Sequence, residues 1–374
     1  MRTRIIGGTL LTPTERIADG WLLAEDGRIV EIGRGEAPPA DKTVDAAGRF
    51  VAPGFIDLHV QGFRGHDLWE ESDEGFLEAT RGMASTGTTA CQASVDPSPE
   101  VCARMRPRIG RAVGGCCVVG LYFETPFISP EKRGAIPPAR VRRPSVELAR
   151  RILDIGRGIL SMITIAPEQQ GALDLIPLFR GAAGPAGPVV VALGHTSATY
   201  EEAVAGLEAG ITHCTHLFNA MTGLGHREPG AVGALLTWPG ASVEIVCDGV
   251  HLHPAAVRLA VACKGPRKTC LVTDVVSARG GVVDGAPRLA DGTIAGSVLT
   301  MDRAVANVQR FAGVTLEEAV EIATLSPARV IGLDRTKGSL EPGKDADLVI
   351  FDSDVNVLTT LIGGEVVWQA GAAC

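Results

Sequence analysis

The chain has 374 residues, 45% hydrophobic and 21% charged, enough to build a sizeable core in one large domain with a smaller one beside it. Its 46 glycines and 23 prolines stay well under the roughly one quarter that marks low-complexity chains. A formal net charge of −8 without a Lys/Arg run excludes a nucleic-acid or anionic-membrane surface as the main partner, while a local basic pocket stays open.

From the N-terminus, the first apolar stretch is too short and too Gly-broken for a secretory signal, and no segment approaches the roughly 18 apolar residues that span a bilayer. A soluble, cytoplasmic protein is expected. Residues 21–32 alternate apolar and polar about an Asp26-Gly27 turn, a strong hairpin signal. Residues 347–352, 355–361 and 366–368 read as strands too, the last two joined by Gly363-Gly364. Neither terminal segment makes a domain alone, so the two are expected to pair.

Between them, eight short apolar runs alternate with helix-period stretches. The runs are 55–60, 88–94, 116–124, 162–166, 189–194, 211–216, 242–248 and 269–274. Continuous apolar strands separated by helices are the pattern of a parallel sheet covered on both faces. Eight in about 220 residues match a (β/α)8 TIM-like barrel. A doubly wound sheet would carry a Gly-rich phosphate fingerprint after its first strand, and none is present. The predicted architecture is α/β: a barrel over residues 53–337 and a small β-sandwich domain built from both chain termini, residues 1–52 and 338–374. Residues 278–300 are Gly-rich with hairpin character; helices are predicted at 302–311 and 315–325, the second opening on a Thr315-x-x-Glu318 cap. The nine cysteines, including the vicinal Cys116-Cys117, lack C-x-x-C spacing and are expected to be reduced and packed as small hydrophobes.

Catalytic groups of such a barrel gather where strands end. Reading those positions yields His59, Glu124, His195, His216, Asp248 with His251, and Asp274. Glu124, His195 and His216 supply one carboxylate and two imidazoles, the three-ligand composition of a catalytic zinc site; Fe2+, Mn2+ and Co2+ accept similar donors. One divalent ion per subunit, Zn2+ first, is expected, acidifying a water and polarising a carbonyl. Asp274 is the candidate general base and acid. Downstream of His216, a Gly-rich loop carries Arg227, whose planar fork suits a phosphate or a carboxylate.

At these residues the sequence resembles the amidohydrolase superfamily and, within it, the N-acetylglucosamine-6-phosphate deacetylase family. The resemblance rests on Pro53-Gly-Phe-Ile-Asp57-Leu-His59, Gly120 through Ala135, Gly194-His195-Thr196 and His216-Leu-Phe-Asn219-Ala220-Met221. It continues through His226-Arg227-Glu-Pro-Gly230, Asp248-Gly-Val-His251, Leu271-Val-Thr-Asp274 and Asp345-Ala-Asp-Leu348. It implies hydrolysis of an N-acetylated amino-sugar 6-phosphate to the amine and acetate. It also implies a metal on Glu124, His195 and His216, Asp274 as the acid/base, and sugar-phosphate contacts from Asn219, Ala220, Arg227 and His251. A homodimer is implied, with Arg227 reaching a neighbour's site.

Four positions depart from the family pattern. Gln61 replaces the second histidine of His-x-His, so a second metal site on His59, Gln61 and Asp274 is expected to be weak. Ile136 stands where the family has a histidine that polarises the amide carbonyl, a loss worth about 2.7–4 kcal/mol for one such donor. Tyr122 and Thr125 replace a histidine and a glycine beside Glu124. These changes are expected to touch the acyl end of the pocket. The alternatives are another N-acyl substrate (an unphosphorylated amino sugar or an amino acid) and a catalytically impaired scaffold.

Overall fold

The computed structural model describes residues 1–69 and 72–371. Eight parallel strands form the barrel: Phe55–Val60, Thr88–Val95, Cys117–Phe127, Leu160–Ile165, Val190–Leu193, His213–Cys214, Ser242–Val246 and Thr269–Val272. They are numbered one to eight here, and each pairs with the next. The ring closes where Val60 bridges Val275 and the Gln61 and Gly62 amides donate to the Val275 carbonyl at 2.9 and 3.1 Å. Almost every side chain of these strands is buried, because the barrel fills one face and helices cover the other.

The covering helices start on short polar caps. Thr199 and Glu202 form a reciprocal capping box at Tyr200–Ala209, and Thr315 and Glu318 do the same at Leu316–Ala323. The last predicted helix is interrupted at Thr324 (φ −134°, ψ −78°), and a separate helix follows at Leu325–Val330.

Both termini build one continuous eight-stranded sheet. Phe50–Pro53 runs antiparallel to Leu348–Phe351 and parallel to part of Arg2–Leu11, so strands from the two ends of the chain are neighbours. Asp26 and Gly27 both take positive φ (49° and 83°), as do Gly363 and Gly364 (57° and 76°), the geometry that lets two-residue hairpins match strand twist. The sheet closes over its own core, with Ile5, Leu22, Val51, Leu348 and Leu361 fully buried. Residues 278–300 hold no strand; two isolated bridges, Val283–Ala286 and Arg288–Ile294, are what remains of the predicted hairpin character. All cysteines of the described residues are free, and Cys374 lies outside those residues. Among the described residues no helix is long and apolar enough to cross a membrane.

Candidate active site

At the C-terminal mouth of the barrel, three donors from separate strands meet. Glu124 lies near the end of strand three, and His195 and His216 follow strands five and six. Glu124 Oε1 is 3.0 Å from His195 Nε2 and 3.1 Å from His216 Nε2, and the two Nε2 atoms are 3.0 Å apart. His195 Nδ1 lies 2.7 Å from the Lys132 carbonyl, which can only accept, so the proton sits on Nδ1 and the Nε2 lone pair faces the cluster. Two ring nitrogens and a carboxylate oxygen about 3 Å apart need a shared electrophile. A divalent cation about 2.0–2.2 Å from each donor fits that spacing. His59 Nε2 adds a buried, unpartnered nitrogen 3.6 Å from Glu124 Oε1 and 3.5 Å from Asp274 Oδ1.

Local backbone geometry aims these groups. His195, His216 and Asp274 leave their strands at φ 45°, 28° and 50°, a left-handed region that non-glycine residues avoid at a cost of about 1–3 kcal/mol each. Three such residues on three strand ends mark a constellation held in place by its surroundings. The carboxylate of Glu124 stays well below its ordinary pKa: burial acts against the charge, but His59 and His195 outweigh it.

Beneath the cluster lies a carboxylate that sequence reasoning missed. Glu244, in the middle of strand seven, is fully buried; its Oε2 meets His59 Nδ1 at 3.3 Å and accepts from the His216 backbone N–H at 3.0 Å. Its Oε1 is 3.1 Å from His213 Nε2. Burial opposes its ionisation, yet His213 and His59 hold its pKa down at about 2. The same charges act on His59, where burial is overcome by Asp274, Glu124 and Glu244 and the pKa stands at about 10. A charged residue inside the apolar run of strand seven was the available signal. Asp57, buried in strand one, accepts from the Thr273 hydroxyl at 2.5 Å.

Around the cluster opens a cavity of about 530 Å3. Gln61, Glu124, His195, His216, Asn219, Ala220, His251 and Asp274 all line it, as do Thr125 and Ile136. Gln61 donates its amide to Asp274 Oδ1 at 3.2 Å. His251 Nδ1 is paired with Asp248 Oδ2 at 2.7 Å, and Asp248 Oδ1 takes the N–H groups of Val250 and His251. Leu289 and residues 293–296 of the Gly-rich segment form part of the wall. Two predicted positions are not brought there. Arg227 is exposed on the loop after strand six and does not line the cavity. Tyr122 points into the barrel, its hydroxyl bonded to Thr164 and Thr215 at 2.8 and 2.5 Å, so it belongs to the core and not to the acyl end. The reason is strand alternation: Tyr122 is two residues before Glu124 on the same barrel-facing row but one layer deeper.

The amidohydrolase family model matches residues 50–367, most of the barrel and the returning strands. The chain belongs to the amidohydrolase family. It is 34% identical to the N-acetylgalactosamine-6-phosphate deacetylase of Escherichia coli O157:H7, covering 95% of this amidohydrolase and 97% of that protein. It is 36% identical to the N-acetylglucosamine-6-phosphate deacetylase of Rattus norvegicus, covering 98% and 94%. Among solved structures, an aspartate-to-alanine variant of the N-acetylglucosamine-6-phosphate deacetylase from Mycobacterium smegmatis, in complex with N-acetylglucosamine 6-phosphate, superposes with a TM-score of 0.87. That chain is 33% identical, with 99% of both chains covered. The Thermotoga maritima deacetylase gives 0.85 at 31% identity, over 98% of this amidohydrolase and all of that chain.

Proposed function

We infer that this amidohydrolase deacetylates an N-acetylated amino-sugar 6-phosphate, N-acetylglucosamine 6-phosphate or a close analogue, to the free amine and acetate. The observation that carries the reading is the meeting of Glu124, His195 and His216 within about 3 Å of one another at the floor of the cavity, beside Asp274. Relatives named for this reaction span nearly the whole chain on both sides of the comparison.

A divalent cation held by Glu124, His195 and His216, with Zn2+ our first choice over Fe2+, Mn2+ and Co2+, supplies Lewis acidity at the amide carbonyl. Asp274 Oδ1 is engaged by Gln61, with His59 Nε2 nearby, which leaves Oδ2 to take a proton from the attacking water and return it to the departing nitrogen. Gln61 gives its amide N–H to Asp274 and has only an amide oxygen to offer a second ion where an imidazole would bind more strongly; one strongly bound metal is our reading.

Asn219 and the backbone of Ala220, with His251 beside them, are assigned to the sugar phosphate. Asn219 spends its amide N–H groups on the carbonyls of His216 and Leu217, which fixes the loop and turns the side-chain oxygen to other partners. Lys132 is the cation on the cavity wall whose ammonium carries no hydrogen bond among the described residues, and it suits an anionic group. The exposed place of Arg227 fits a homodimer in which it serves the neighbouring subunit's substrate. The cytoplasm is the compartment we propose for this reaction.

The test is turnover by metal-reconstituted protein of N-acetylglucosamine 6-phosphate, the unphosphorylated sugar and N-acetyl amino acids, with release of free amine as the readout. The phosphorylated sugar should be strongly preferred. Equal turnover of the sugar with and without phosphate, or preference for the amino acids, would remove this substrate assignment.

A further inference from the structure

The cavity extends to a side that the sugar contacts leave unused. In a closed ring of eight, strands two and three stand across the axis from six and seven. Asn219, Ala220 and His251 follow strands six and seven, so a sugar bound there directs its acyl group past Glu124 toward the loops after strands one to three. That wall contains Trp69, Val95, Ile136, Asp96 and Arg140.

We propose that this wall is an acyl subsite for chains longer than acetyl that end in an oxygen acceptor, and that Arg140 reads that oxygen. The proposal rests on the deacylase reading above and extends it to the acyl group. Val95 and Ile136 offer no side-chain donor or acceptor, and Trp69 adds a broad aromatic surface whose one polar group is the indole N–H, so together they suit the methylene part of an acyl chain. Arg140 is different. Its Nε is 2.7 Å from Asp96 Oδ2 in an ion pair at the cavity rim, where the arginine side chain is half exposed, and Asp96 Oδ1 accepts from the Thr125 hydroxyl at 3.0 Å, so the guanidinium is tethered on its Nε side. Its two terminal nitrogens make no hydrogen bond among the described residues, and the residue lines the cavity. A planar fork tethered through Nε, with its terminal N–H groups left to donate, matches a hydroxyl or carboxylate oxygen. An acetyl group ends in a methyl and leaves those donors unused.

Thr125 and Ile136, two of the positions where this chain departs from its family's pattern, therefore serve one purpose: the first holds the aspartate that holds the arginine, and the second lines the chain's path. A glycolyl-type hydroxyl and a succinyl-type carboxylate share the required acceptor. The reaction is otherwise unchanged. Water adds to the acyl carbon, the C–N bond breaks, the nitrogen leaves as the amine with the proton returned by Asp274, and the acyl fragment leaves as a hydroxy acid or diacid.

The experiment compares kcat/KM of the metal-reconstituted enzyme and its Arg140→Met variant on N-acetyl-, N-glycolyl- and N-succinylglucosamine 6-phosphate, with thermal melting to confirm that the variant is folded. For at least one extended substrate, its ratio to the N-acetyl compound should fall about tenfold or more in Arg140→Met, as expected for losing a hydrogen bond from a charged donor. Where the N-acetyl compound is turned over, failure of the wild type to hydrolyse either extended substrate, or any smaller fall in both ratios, overturns the subsite. If no compound is hydrolysed, the deacylase reading has failed. The subsite is then judged by the same tenfold criterion on calorimetric affinities of the three compounds for Asp274→Asn protein with and without Arg140→Met.

Discussion

Asp274 leaves its strand through a left-handed backbone and presents a carboxylate whose Oδ1 is already engaged by Gln61. Replacing it by asparagine keeps the shape and the link to Gln61 but removes the atom that moves the proton. Asp274→Asn should lower kcat by roughly 10²–10⁴-fold while bound metal stays at the wild-type level, measured by turnover and elemental analysis. Turnover within a few fold of wild type would end the acid/base role. The pair at His251 makes a different prediction. Burial disfavours the charged ring, but Asp248, with help from Asp274 and against Arg288, raises the His251 pKa. The charged ring is then present below its folded pKa and lost as pH rises through it. Asp248→Asn removes the largest raising partner, so the rise in KM for the phosphorylated sugar on the alkaline side should begin at lower pH. An unshifted KM–pH profile would separate His251 from the anion.

At the scale of elements, the barrel strands were legible because a parallel strand buried on both faces reads as an uninterrupted apolar run, and the site residues because polar groups end those runs. Strand six was only half legible: of residues 211–216, just His213–Cys214 pair as strand, the rest turning early to place His216. The partners of Glu244 were not legible at all. His59 lies 185 residues away in sequence, and only closure of the ring brings strands one, six and seven around one carboxylate. The path of residues 278–300 was equally hidden, since a Gly-rich segment takes its course from what it packs on. The hidden acid carries a prediction. Glu244→Leu leaves His59, His213 and the His216 N–H without their acceptor and should destabilise by about 3–5 kcal/mol in denaturant unfolding, the usual result of removing one partner from a buried charged set. Glu244→Gln, which keeps an oxygen, should cost clearly less. Equal effects would mean that packing, and not the hydrogen bonds, is what the position supplies.

For the molecule as a whole, the termini are tied by sheet pairing, whereas the mouth of the barrel is tied by the three donors. Those donors come from strands three, five and six, so an ion shared among them joins the adjacent pair five and six to strand three, which strand pairing links to them only through strand four. Without it, two ring nitrogens and a carboxylate oxygen face one another at about 3 Å with nothing between them. Binding to the folded state alone adds stability by mass action, about 2.7 kcal/mol when the free ion is 100 times its Kd and about 4.1 at 1,000 times. For a chain of this length, an unfolding entropy of about 2.1 cal/mol/K per residue converts that to roughly 3–5 °C in Tm. Chelation followed by readdition of Zn2+ should therefore lower and then restore Tm by that amount in calorimetry. Glu124→Ala decides whether this shift belongs to the site. In that variant the metal-dependent part of the shift should shrink to near zero, because the carboxylate that bridges the two histidines is gone. A variant that still melts several degrees higher with zinc would place the stabilising ion elsewhere and detach the cluster from the metal chemistry.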